Sequence, residues 1–188
     1  MKIYVFGGSF DPPHRAHIEI VKHVISDCEK LYIFPAKKSP NKVEQTVATS
    51  DQRLQMCNLS FQAISSKIEV SDFELNSPLP SYTINTVDWI LEQFQDCEVS
   101  IIIGEDQASQ LDSWYEFELL KEKVNFICFS RNRFDLKSQI CLEYIQNFNH
   151  DISSTELRMG FPHNLEELKL KIHPEVIDYI QLNKLYSC

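Results

Sequence analysis

Lys2-Ile3-Tyr4-Val5-Phe6-Gly7-Gly8-Ser9-Phe10-Asp11-Pro12-Pro13-His14-Arg15-Ala16-His17, residues 2–17, is the stretch from which the fold is read. Lys2 to Phe6 reads as a buried strand, and Ile18 onward reads as an amphipathic helix. The segment between them is then the first strand-to-helix turn of an α/β sheet. Such a turn sets backbone N–H groups and the positive end of a helix at the carboxyl edge of the sheet, where phosphates bind. His14 and His17, three residues apart at the helix start, share one face. Glycines, a helix N-terminus and paired imidazoles point to a polyphosphate site. Fixed imidazoles there can donate hydrogen bonds to phosphate oxygens and stabilise charge in a pentacoordinate transition state.

Working outward, apolar strand-like runs recur at Ile3–Phe6, Leu31–Phe34, Ile68–Val70, Val99–Ile103 and Val124–Phe129. Helical patterns fill the gaps at Ala16–Ser26, Asp51–Ile64, Thr83–Phe94, Phe117–Lys121 and Leu136–Phe148. This alternation predicts a doubly wound parallel sheet with helices on both faces. From about Ser153 the chain reads as short helices without a further strand, one opened by Ser153-Ser154-Thr155-Glu156 and another by Pro174. Residues 1–188 are expected to form a single domain with this helical C-terminal part. The loops over Pro35–Val47 and Asn76–Ser81 follow strands, which places them at the carboxyl edge.

The totals bound the function class. A hydrophobic fraction of 43% and a charged fraction of 24% are those of an ordinary soluble protein. No apolar run approaches membrane-span length and the N-terminus begins at once as a strand, so the expected location is the cytoplasm. A formal net charge of −9 argues against broad nucleic-acid binding. Local basic clusters, Lys37, Lys38 and Lys42 in one and Arg131 and Arg133 in another, leave room for a small anionic substrate. The six cysteines form no C-x-x-C pair and read as scattered reduced thiols. Three of the four glycines (Gly7, Gly8, Gly104) directly follow strand-like runs, where glycine supplies an unusual backbone angle or a close approach.

Ser153 to Arg158 admits two readings. Ser153 and Glu156 form the Ser-x-x-Glu pattern of a capping box. Capping alone leaves Ser154, Thr155 and Arg158 unexplained. Two hydroxyls, free helix N–H groups and a guanidinium can converge on the β- and γ-phosphates of a nucleotide.

Gly7-Gly8-Ser9-Phe10-Asp11-Pro12 with His14-Arg15-Ala16-His17 resembles the G-G-[ST]-F-D-P…H-x-G-H signature of the nucleotidylyltransferase superfamily. Ile152 to Arg158 resembles its second signature, I-S-S-T-x-[IL]-R. Three further segments are similar to the nicotinate-nucleotide adenylyltransferase branch: Ser81-Tyr82-Thr83-Ile84-Asn85-Thr86-Val87, Ile103-Gly104-Glu105-Asp106 followed by Trp114, and Phe129-Ser130-Arg131. The closing Pro174…Tyr179-Ile180…Asn183…Leu185-Tyr186 matches as well, so the resemblance covers essentially the whole chain.

The resemblance implies a Rossmann-like nucleotidylyltransferase fold and adenylyl transfer from ATP to nicotinate mononucleotide, giving deamido-NAD and pyrophosphate in NAD biosynthesis. It implies catalytic roles for His14, His17 and Arg158. ATP would be held by Gly7, Gly8, Ser9, Phe10, Lys42, Gly104, Asp106, Ser153, Ser154 and Thr155, with Mg²⁺ carried mainly by the phosphates. The acceptor would be held by Thr83, Trp114, Tyr115 and Arg131. Within this assignment Thr83 and the backbone around Tyr115 receive the nicotinate carboxylate, and Trp114 offers a face for stacking. Asp106 either accepts from ribose hydroxyls or caps the following turn.

The sequence departs from the signatures at three places. Ala16 stands for the glycine of H-x-G-H, Asn41 for the histidine of a P-P-H-K loop, and Asn85 for an aspartate. They motivate two alternatives: the same chemistry on nicotinamide mononucleotide, pantetheine phosphate or a sugar phosphate, or a nucleotide-binding paralogue without turnover. Oligomeric state is not readable from the sequence.

Overall fold

Alternate residues of the first strand, β1 (Lys2–Gly8), point to opposite faces of the sheet, and both faces are covered. Ile3 and Val5 enter one hydrophobic cluster; Tyr4 and Phe6 enter the other. A strand buried on both sides reads as a continuous apolar run, which is how Ile3 to Phe6 reads. The computed structural model describes residues 1–37, 46–130, 141–145, 148, 152–161 and 163–186.

Six parallel strands lie in the order β3-β2-β1-β4-β5-β6. They are β1, β2 (Lys30–Pro35), β3 (Ile68–Val70), β4 (Glu98–Gly104), β5 (Val124–Phe129) and β6 (Cys141–Ile145). The order reverses between β1 and β4, so a crevice opens at their carboxyl ends, the place where ligands bind in open α/β sheets. The helices α1 (Arg15–Val24) and α2 (Ser50–Phe61) cover one face through Ile18, Val21, Val24, Cys57 and Phe61. The other face is covered by α4 (Thr83–Gln93) and α6 (Phe117–Lys123), with Ile84, Val87, Ile90, Phe117 and Leu120 in the core. Two short helices, α3 (Phe73–Asn76) and α5 (Glu105–Ala108), follow β3 and β4. Three C-terminal helices, α7 (Ser154–Gly160), α8 (Leu165–Lys171) and α9 (Pro174–Leu182), build a third cluster that takes in Met56 of α2.

The five expected strands are present, each within two residues of its expected ends. The expected helix over Leu136–Phe148 is corrected: Cys141–Ile145 is the edge strand β6, and residues 136–140 lie outside those described. A short apolar run fits a buried strand and a helical turn equally by periodicity, and here pairing with β5 decides. Cys141, which falls inside that expected helix, is therefore in a strand. The C-terminal helices form as expected, with Pro174 in the first turn of α9. Among the described residues, no helix is long and apolar enough to cross a membrane.

Cys28, Cys57 and Cys128 are buried, and Cys97 is half-buried. Burial pushes the Cys28 thiol up to about 11 and raises Cys57 further. Native protein at pH 8 is expected to leave Cys28 and Cys57 unlabelled by a thiol reagent until it unfolds, as peptide mapping would show.

Candidate active site

The turn after β1 is shaped by Phe10, not by its glycines. Phe10 carries the left-handed backbone angle, φ 46°, whereas no glycine in the chain has positive φ. Its ring is buried edge-on to Phe6 at 5.5 Å, Phe61 at 5.8 Å and His17 at 5.0 Å. It lies over Gly8, where a Cβ would come within 3.1 Å of it. Phe10 therefore offers a ligand its backbone and holds the turn with its side chain. At Gly7 and Gly104, at the carboxyl ends of neighbouring β1 and β4, a Cβ would meet nothing within 4 Å. What these two glycines provide is room at the crevice, which corrects the unusual-angle reading.

His14 is the N-cap of α1 and His17 its third residue, so one imidazole precedes the helix and the other lies on it. The rings nevertheless stack, 3.7 Å apart at their centroids and 22° from parallel. The His14 backbone N–H donates to His17 Nδ1 at 3.2 Å. With Nδ1 accepting, a neutral His17 ring carries its proton on Nε2. His14 is buried and His17 half-buried. Ala16 is buried between them in sequence, at 6% exposure.

The second signature docks directly on this turn. Ser154 Oγ donates to the Pro12 carbonyl at 2.9 Å, across 142 residues of sequence. Arg158 donates to the Asp11 carbonyl at 2.8 Å and to Thr155 Oγ1 at 3.2 Å, and stands 3.8 Å from the Asp11 carboxylate. Ser153 occupies the N-cap position of α7 without a side-chain capping bond, so the capping-box reading is not borne out there. Through Ser154 and Arg158, α7 braces the turn after β1.

Asp11 is the hub of this assembly and was absent from the expected site. Its buried carboxylate accepts from the backbone N–H groups of Val47 at 2.7 Å and Ala48 at 3.1 Å, and from Tyr186 Oη at 2.8 Å. Burial first, and then the Asp11 charge, push the Tyr186 phenol up, so it stays a donor. Arg53, 1% exposed, donates to the carbonyls of Ser9 at 2.9 Å and Ala36 at 2.7 Å, tying the turn to the segment after β2. Burial lowers its pKa, and the charge of Asp11 opposes that. A signal for Arg53 was available: it falls on the buried stripe of α2 with Met56, Cys57 and Ser60, at helical spacing. Tyr186→Phe is expected to cost about 1–2 kcal/mol by leaving the Asp11 carboxylate one donor short. Chemical denaturation would measure it as a lower midpoint at unchanged slope.

Of the expected acceptor residues, Thr83 and Tyr115 are brought near each other through Tyr82. Thr83 opens α4, and the preceding Tyr82 stacks on Tyr115, 4.4 Å between centroids and 19° from parallel. Tyr115 is 51% exposed. Trp114 is half-buried and meets Phe126 edge-on at 6.4 Å. Asp106 is exposed within α5, whose N-cap is Gly104, so its capping alternative is not borne out. Asn85 donates its amide to the Pro80 carbonyl at 3.1 Å. Lys42 and Arg131 lie outside the described residues, as do Lys38, Asn41 and Arg133.

Among the described residues, no group of three or more His, Cys, Asp and Glu side chains could hold a metal ion. The carboxylate nearest the turn, Asp11, is already taken up by three donors. The backbone N–H groups, imidazoles and guanidinium around the turn can donate to phosphate oxygens.

Known proteins place this geometry. A Cytidylyltransferase-like family model matches residues 5–160. The "Probable nicotinate-nucleotide adenylyltransferase" of Leptospira interrogans is 34% identical over 194 residues, covering 97% of this chain and 96% of that protein. Its namesake from Aliarcobacter butzleri is 36% identical over 161 residues, covering 84% and 86%. Among solved structures, the Plasmodium falciparum nicotinic acid mononucleotide adenylyltransferase complexed with NaAD has the same fold, with a TM-score of 0.80 at 24% identity over 98% of this chain and 97% of that one. Sequence and fold together make the chain a member of the nicotinate-nucleotide adenylyltransferase family within the cytidylyltransferase-like proteins.

Proposed function

We propose that the protein transfers the adenylyl group of ATP to nicotinate mononucleotide, giving deamido-NAD and pyrophosphate as a step of NAD biosynthesis in the cytoplasm. The observation that carries this reading is the docking of Ser154 and Arg158 on the turn that presents His14 and His17, with the Tyr82–Tyr115 platform completing the site.

An oxygen of the acceptor phosphate attacks the α-phosphorus in line. The bond from that phosphorus to the α,β-bridging oxygen breaks, and pyrophosphate leaves with its electron pair. The acceptor phosphate is already ionised at neutral pH, so no side chain is needed as a base. The chain's work is alignment and charge stabilisation. His17 Nε2 and the His14 ring face the α-phosphate and the charge growing on it. The N-terminus of α7 and Arg158 hold the departing pyrophosphate, with Lys42 contributing from its loop. Thr83 and Tyr115 take the nicotinate carboxylate, Trp114 the ring and Arg131 the mononucleotide phosphate. Asp106 takes ribose hydroxyls, and the open space over Gly7 and Gly104 admits the nucleotide. Mg²⁺ enters with ATP on its phosphate oxygens, where it screens their charge.

The test is pyrophosphate release from ATP with a panel of acceptors: nicotinate mononucleotide, nicotinamide mononucleotide, pantetheine phosphate and a sugar phosphate. Release with nicotinate mononucleotide is expected to dominate. Activity confined to another acceptor would overturn the substrate, and ATP binding without release for any acceptor would overturn turnover itself.

A further inference from the structure

Glu74 is a buried carboxyl that neither signature explains. It lies on the short helix α3 at 8% exposure, and burial raises its pKa against the pull of its hydrogen-bond donors. Thr86 Oγ1, itself 1% exposed on α4, donates to Glu74 Oε1 at 2.7 Å. The Ser81 hydroxyl also favours the charged form of this carboxyl. Ser81 Oγ in turn accepts from the Lys37 backbone N–H at 3.1 Å, immediately beyond β2 and Ala36. Lys37 Nζ closes the loop by donating to the Ser77 carbonyl at 2.9 Å.

The direction of this chain matters. Ser81 accepts from Lys37 and therefore has its proton free for Glu74, and Thr86 donates from the other side. A carboxylate, which only accepts, satisfies both donors at once. A glutamine offers one acceptor and one NH₂, and the NH₂ meets a hydroxyl whose proton then has no place to go. The residues between, Pro78, Leu79 and Pro80, are exposed, so packing does not hold this segment down.

We propose that Glu74 is a positioning residue that holds the start of α4, and with it Tyr82 and Thr83, in the conformation that receives the acceptor. The assignment of Thr83 to the acceptor rests on the function proposed above. Loosening the start of α4 lowers the fraction of protein competent to take the acceptor and leaves the ATP side, built on β1 and α7, unchanged.

Glu74→Gln and Thr86→Val are each expected to raise the KM for nicotinate mononucleotide about 5- to 10-fold, with kcat and the KM for ATP within about twofold. Thr86→Ser, which restores the hydroxyl, is expected to return the acceptor KM close to that of the wild type. An unchanged acceptor KM in both variants, or an ATP KM rising in step with it, would overturn the proposal. Amide hydrogen exchange without substrates gives a second readout, with residues 81–84 expected to exchange faster in both variants. Unchanged exchange there would overturn the proposal whatever the activity. A wild-type protein inactive with nicotinate mononucleotide, whose variants still show the faster exchange, would remove the acceptor and leave the positioning role.

Discussion

His17→Ala is expected to lower kcat about 100- to 1,000-fold, the usual loss when one preorganised donor to a transition-state charge is removed. The His14 stack at 3.7 Å, the Phe10 edge at 5.0 Å, the Phe6 ring at 5.8 Å and the His14 N–H on Nδ1 all bear on the ring. Each constrains orientation, so Nε2 is in place before substrate arrives and costs no reorganisation in the transition state. The stability loss should be small by comparison, about 1 kcal/mol for the orphaned His14 N–H. Steady-state pyrophosphate release, with circular dichroism as the check on folding, separates the two effects. A folded variant turning over at a near wild-type rate would remove His17 from the chemistry.

The second large effect is expected at Asp11. Asp11→Ala strips the acceptor from two backbone N–H groups and the Tyr186 phenol, and removes the negative charge beside Arg158 and the buried Arg53. Removing one partner of a buried charged assembly costs roughly 3–5 kcal/mol. For a chain of this size that corresponds to a fall in Tm of roughly 6–20 °C by differential scanning calorimetry. Asp11→Asn keeps the shape and one acceptor, so its loss should be smaller. Asp11→Ala and Tyr186→Phe share one hydrogen bond, so the double variant should lose less than the sum of the singles. Simple additivity would mean that the Tyr186 contact contributes nothing through Asp11.

The parts of the fold that were legible are those where local pattern and tertiary outcome agree. β1, β2, β4 and β5 are apolar runs buried on both faces, and α1, α2, α4 and α6 carry their apolar residues at helical spacing. β6 was misread because five residues are too few to separate the two periods, and the partner that makes it a strand, β5, is chosen only in space. The short α3 was missed for a related reason: its four residues follow β3 directly and offer no periodicity. At the site, motif spacing identified the two imidazoles and the α7 hydroxyls. It could not show that Asp11 and Arg53 are structural. Charged side chains look exposed until a fold supplies buried carbonyls and N–H groups to meet them.

The Tyr186–Asp11 contact joins positions 175 residues apart. During synthesis the turn at residues 9–17 leaves the ribosome early, at a pace of about 5–20 residues per second. It cannot lock until residue 186 has followed. Until then the turn that carries His14 and His17 lacks the brace that orders it. Such long-range closure also places the final step of folding late and makes it slow. Nucleotide added during refolding is then expected to act on the last kinetic phase alone.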